Sequence, residues 1–171
     1  VKLCESPSKA GGLPILIICM EVFEHITDIE GASEVHLHGV WNMLCEFHRV
    51  LKTGGNLFIT TPNAASYDAI ARIRNQKNPL SYAIHYREFS IEEMQAILEQ
   101  SGFVVQEIFS INAYNNKNND KLKEQLAQLG FPIAAMESTI FARVQKLHEM
   151  TYKPVDLAYL LLDVGTRKNN S

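Results

Sequence analysis

Two carboxylates and an imidazole stand together at Glu21, Glu24 and His25, directly after an unbroken apolar run, Ile15–Met20. If the chain turns helically beyond Met20, positions i, i+3 and i+4 share one face and the three side chains converge. Neighbouring carboxylates resist joint ionisation unless a cation or a proton lies between them. Such a cluster suits a divalent-cation site or acid–base chemistry. Spacing alone leaves the plainer alternative open: two solvated glutamates, with His25 packing a turn.

The elements that must position this cluster are readable around it. The run before it is bounded by Pro14 and by charge, and is rich in isoleucine. It reads as a strand buried on both faces, as in parallel sheets. Ligands of open α/β sheets bind beyond the carboxyl ends of the strands, which is where residues 21–25 fall. Val40, Leu44, Phe47 and Leu51 recur at helical spacing, and Lys52-Thr53-Gly54-Gly55 stops that helix. Residues 56–61 read as a second strand, ended by Pro62. A strand–helix–strand unit is almost always right-handed and parallel, so Pro62 and Asn63 are expected at the same rim as Glu21–His25.

Farther on, 65–74 reads as a short helix, and Ser90 with Glu93 forms a capping box. The helix it opens turns Met94, Ile97 and Leu98 inward. Strands are expected over 103–111 and 138–144, with an asparagine-rich loop at 112–119. A helix is expected over 120–129, carrying Leu122, Leu126 and Leu129 on one stripe. The order is that of an α/β chain with a mixed or parallel sheet. Three regions follow: 1–13, loop-like; 14–146, the core; and 147–171, a tail whose apolar segment, Val155–Leu162, docks as a helix or meets a partner.

Composition narrows the function classes. The 171 residues form one domain with 46 % apolar and 20 % charged residues, values usual for a globular protein. A net charge of −3 supplies no basic field for nucleic acid or anionic membrane. The apolar runs fall far short of the roughly 20 residues that span a bilayer. Cys4, Cys19 and Cys45 have no metal-ligand spacing, which fits a reducing, cytoplasmic compartment.

Three segments together carry a resemblance: IICMEVFEHI, ending at Ile26; EFHRVLKTGGNLFITTPN, 46–63; and HYREFSIEEMQAILEQSGF, 85–103. They resemble the C-terminal half of a class I S-adenosylmethionine-dependent methyltransferase, in the branch of the ubiquinone-biosynthesis O-methyltransferases. The resemblance spans Pro14 to Lys146. It implies an incomplete Rossmann-like sheet, the fourth to seventh strands of seven, with an antiparallel strand in the last pair. The family's glycine-rich cofactor loop has no counterpart here, since Gly11-Gly12 lacks both a preceding strand and a following helix. The expectation is that an N-terminal half is truncated from this chain.

By the same resemblance, Met20 and Glu21 line S-adenosylmethionine. Glu21, Glu24, His25 and His85 match a divalent-cation set suited to Mg²⁺, Mn²⁺, Fe²⁺ or Zn²⁺. Without metal, His25 or His85 is the candidate general base. Asn63, Tyr82, Tyr86 and Arg87 are weaker candidates for the rim of the pocket. The implied activity is O-methylation of a small molecule or glycan, with no nucleic-acid or membrane partner. The alternative is a degenerate, non-catalytic methyltransferase-like domain acting as an interaction module.

Overall fold

The computed structural model of the chain describes residues 12–26, 38–113 and 120–148. The tail segment Val155–Leu162 lies outside them. Four strands form one sheet: β1 (Leu16–Met20), β2 (Asn56–Pro62), β3 (Val104–Ile111) and β4 (Thr139–Gln145). Their order is β1-β2-β4-β3. β1 runs parallel to β2, while β4 is antiparallel to both of its neighbours. The α/β class and the antiparallel strand in the last pair are as the sequence implies.

The helices are α1 (His38–Val50), α2 (Tyr67–Arg74), α3 (Ile91–Gln100) and α4 (Asp120–Gln128). α1 and α3 cover one face of the sheet. Val40, Leu44 and Leu51 from one side meet Met94, Ile97 and Leu98 from the other over Cys19, Leu57, Ile59, Ile140, Ala142 and Val144. Each large aliphatic side chain buried this way contributes about 1.5–3 kcal/mol. The capping box forms in full. Ser90 Oγ accepts from the Glu93 amide, and Glu93 accepts from the Ser90 amide.

Two glycines make the turn between α1 and β2. Gly54 takes φ +82, and a Cβ on Gly55 would lie 2.7 Å from the Lys52 carbonyl. Behind that turn Lys146 is wholly buried, its Nζ donating to the carbonyls of His48 (2.8 Å) and Leu51 (3.0 Å). A lysine directly after the last strand thus closes the C-terminus of the first helix.

One expectation fails plainly. β1 is not buried on both faces. Cys19 and, partly, Ile17 point into the core, but Leu16, Ile18 and Met20 are 46 %, 59 % and 54 % exposed. Among the described residues β1 lies at the edge of the sheet, and α1 and α3 lie on its other side. Among the described residues, no helix covers this second face. Phe58, Phe141 and Phe109 continue it as a row of rings whose centroids lie 5.9 and 5.1 Å apart.

The stripe on α4 is also shorter than its spacing suggests. Leu126 and, in part, Leu122 pack with Tyr67 and Met136, while Leu129 is 74 % exposed. The helix has already ended at Gln128, and Gly130 turns the chain away at φ +81.

Candidate functional site

The parallel pairing of β1 with β2 sets the site. Met20 stands beside Thr60, and the Glu21 amide donates to the Thr60 carbonyl at 2.9 Å. The ladder ends there because Glu21 takes φ 52, a left-handed conformation costly for a residue with a Cβ. The chain then makes only a short 3₁₀ turn, Phe23–His25. Glu21 and Glu24 therefore do not share the face of one helix. Phe23, wholly buried, anchors the turn and swings Glu24 inward beneath it.

Glu24 is the most enclosed carboxylate of the site, at 1 % exposure. Thr61 Oγ1 donates to its Oε2 at 2.9 Å. Its backbone carbonyl accepts from the Tyr86 amide at 2.8 Å, drawing the 85–88 segment over the strand ends. As expected, then, the corner after β1 and the corner after β2 share one rim. Glu24 Oε1 is buried and accepts no hydrogen bond. His25 Nε2 lies 3.8 Å from it. Burial holds the Glu24 carboxyl above its ordinary range. The bonds from its own backbone and from Thr61 pull the other way.

His85 completes the group. One ligand atom each from Glu24, His25 and His85 lies within 4.8 Å of the others, and the two imidazole rings meet edge to face at 4.8 Å. Glu21 is outside this set. A cation with bonds of about 2.1 Å spans at most about 4.2 Å between opposite donors, so the three groups stand slightly open. One oxygen and two imidazole nitrogens suit a first-row divalent ion, and the orphaned Oε1 is the atom such an ion would satisfy.

Glu88, which sequence reading did not single out, governs His85. His85 Nδ1 lies 2.8 Å from Glu88 Oε1, with both side chains buried. An ionised carboxylate only accepts, so in the neutral imidazole this contact places the hydrogen on Nδ1 and leaves Nε2 as the ligating nitrogen. The same Oε1 accepts the Ser81 amide at 2.6 Å. A carboxylate behind the imidazole is the usual outer-shell device for orienting a metal-bound histidine. Its only trace in the sequence is a glutamate three residues after His85 within a polar, aromatic stretch.

The weaker candidates separate. Asn63 is structural: buried, it donates to the carbonyls of Ala135 and Glu137 and accepts from the Ala65 amide. Arg87 pairs with Glu93 and lies over Phe89. Tyr86 is 63 % exposed. Tyr82 stands 5.2 Å from His85, ring to ring, and lines a cleft of about 460 Å³ beside α2.

Cys19, on the inner side of β1, is a packing residue. Burial first, and the Glu24 charge second, push its thiol up to about 11 from 9.0. Two pH units of displacement leave about 100-fold less thiolate near pH 8. Iodoacetamide is therefore expected to alkylate Cys19 at least about 100-fold more slowly in the folded chain than in urea. Mass spectrometry of timed quenches measures this, and equal rates would mean that the strand end opens freely. The sign in linkage is clear: a thiol raised by folding gives stability that is full below pH 9 and lost as pH climbs through about 11.

Comparison with curated proteins gives no match. Among solved structures, a SAM dependent methyltransferase from Archaeoglobus fulgidus superposes with TM-score 0.52 at 16 % identity, over 79 % of this chain and 60 % of that one. The N-methyltransferase NodS from Bradyrhizobium japonicum, solved with S-adenosyl-L-homocysteine, gives TM-score 0.45 and 18 % identity, over 82 % and 50 %. Phosphoethanolamine N-methyltransferase 2 from Haemonchus contortus, solved with S-adenosyl-L-methionine, gives 0.41 and 13 %, over 78 % and 33 %. The chain thus spans a third to three fifths of the length of these structures. The first of them shares its fold. Residues 4–108 match a family described as a methyltransferase domain, and the chain belongs to that family.

Proposed function

We propose that this chain forms the acceptor side of an S-adenosylmethionine-dependent methyltransferase acting on a hydroxyl of a small molecule or glycan, with a divalent cation on Glu24, His25 and His85. One observation carries the reading. At the carboxyl rim of the parallel strands, in a chain of the methyltransferase family, a buried carboxylate oxygen without a hydrogen bond faces two imidazoles.

A bound cation would lower the pKa of an acceptor hydroxyl and orient it. The chain's own residues prepare the place. Thr61 fixes the Oε2 side of Glu24 and so presents Oε1. Glu88 holds the His85 ring through Nδ1. His25, whose side chain is 38 % exposed, borders solvent and is the member within reach of an entering acceptor. Met20 and Glu21, at the end of β1, are assigned to the cofactor rim. The sulfonium of the donor already carries a good leaving group, the neutral thioether, so positioning supplies much of the remaining acceleration. Oxygen as the acceptor atom rests on the likeness of the three segments to the ubiquinone branch.

Isothermal titration of the complete gene product with S-adenosylmethionine tests the activity class. Saturable binding is expected, and none at millimolar ligand would sink it. Activity that survives EDTA unchanged would remove the cation and leave His25 and His85 as the bases.

A further inference from the structure

We propose that the cleft beside α2 holds an anionic group of the methyl acceptor, a phosphate or a carboxylate, on Arg72 and Lys77; only the word acceptor rests on the function proposed above. Both cations line the cleft. Arg72 leaves the last turn of α2. Lys77 is brought back beside it because Gln76 takes φ 55 and the Lys77 amide donates to the Arg72 carbonyl at 2.9 Å. Two cationic side chains on the lining of one cleft suit an anion bound between them.

Both cations can turn to a ligand, a state they share among the described residues with Lys52, Arg74 and Lys121; what sets them apart is that they line one cleft. Arg49, Arg87, Lys123 and Arg143 each hold a carboxylate. Among the described residues, no ion pair engages Arg72 or Lys77. Asp68 is the one carboxylate on the lining and has an interaction of its own. Two positive charges against one negative leave the wall net positive.

The cleft also borders the segment that carries His85. Its lining includes Ser81 and Tyr82. The Ser81 amide and His85 Nδ1 meet on the same oxygen of Glu88, at 2.6 and 2.8 Å, and the Tyr82 ring abuts that of His85. An acceptor gripped at Arg72 and Lys77 would therefore extend past Tyr82 toward Glu24 and His25. The class of substrate is a hydroxyl compound bearing a phosphate or a carboxylate, rather than a neutral one.

The test is an NMR titration of the complete gene product with inorganic phosphate and, in a parallel arm, with acetate, chloride holding ionic strength constant. Saturable shifts are expected at the Ser81 and Tyr82 amides and at the His85 ring. A response to phosphate alone, or to acetate alone, identifies which anion the acceptor carries. The Arg72→Ala/Lys77→Ala variant is expected to bind at least about tenfold more weakly, with S-adenosylmethionine affinity unchanged. The Arg72→Gln/Lys77→Gln pair serves the same purpose should the alanine variant unfold. No saturable shift with either anion, or equal binding by both charge-free variants, overturns the proposal. If phosphate binds at these residues while S-adenosylmethionine does not bind at all, the anion site stands and the methyltransferase reading falls.

Discussion

Binding of Mn²⁺ to the complete protein is expected to weaken more than about 100-fold when Glu24 is replaced by glutamine. Outer-shell replacements at metal sites cost about 10–100-fold, and Glu24 supplies a donor itself. Glu88→Gln is therefore expected to fall in the lower range, because it removes the charge behind His85 and leaves the three donors in place. Isothermal titration or the spectroscopic signal of free Mn²⁺ measures both. Equal binding by wild type and Glu24→Gln would eliminate the cation site.

The same substitution has an opposite effect on stability. Burial raises the Glu24 carboxyl above its ordinary value of 4.5. An acid raised by folding contributes stability that is full below about pH 4.5 and is lost as pH rises through its folded-state value. Without cation, Glu24→Gln is expected to melt above the wild type at pH 7, with the gap closing near pH 4.5. Added Mn²⁺ should raise the melting temperature of the wild type only. A site that destabilises the empty fold and is relieved by its ligand is the signature of binding rather than of packing.

The second large effect lies away from the site. Lys146→Met is expected to destabilise the chain by about 3 kcal/mol, since the helix carbonyls of His48 and Leu51 lose their buried donor. Relief from burying an ammonium offsets part of a larger loss. For a chain of this length that corresponds to a fall of about 6–12 °C in melting temperature. Differential scanning calorimetry checks it, and a change under 2 °C would mean that water replaces the ammonium at the helix end. Anion and cation binding should survive at temperatures where the variant is folded.

How much of this was legible follows from what each feature depends on. The capping box at Ser90, the helix stop at Gly54-Gly55 and the parallel βαβ unit are local, and local chemistry writes them into consecutive residues. The shared rim of Glu24 and Asn63 followed from the parallel direction of the two strands joined by one helix. Glu21 was misplaced because a left-handed residue cannot be foreseen in a glutamate. Its conformation goes with the hydrogen bond that its amide donates to the carbonyl of Thr60, a partner far along the chain. Glu88 was missed because its meaning lies in what it touches. The burial of β1 was overestimated because apolar composition reports what a strand needs, not which neighbour meets the need. Lys146 is the converse case: a wholly buried lysine contradicts composition until the helix end it serves is seen.

The uncovered face of β1 has a practical consequence. Among the described residues β1 is at the sheet edge, and with Leu16, Ile18 and Met20 turned outward beside a phenylalanine row and without a charged gatekeeper among those three, it is a template for intermolecular pairing. Prepared alone, the chain will show concentration-dependent clumping and patchy solubility that have nothing to do with its chemistry. A lysine at position 18 would be the economical remedy.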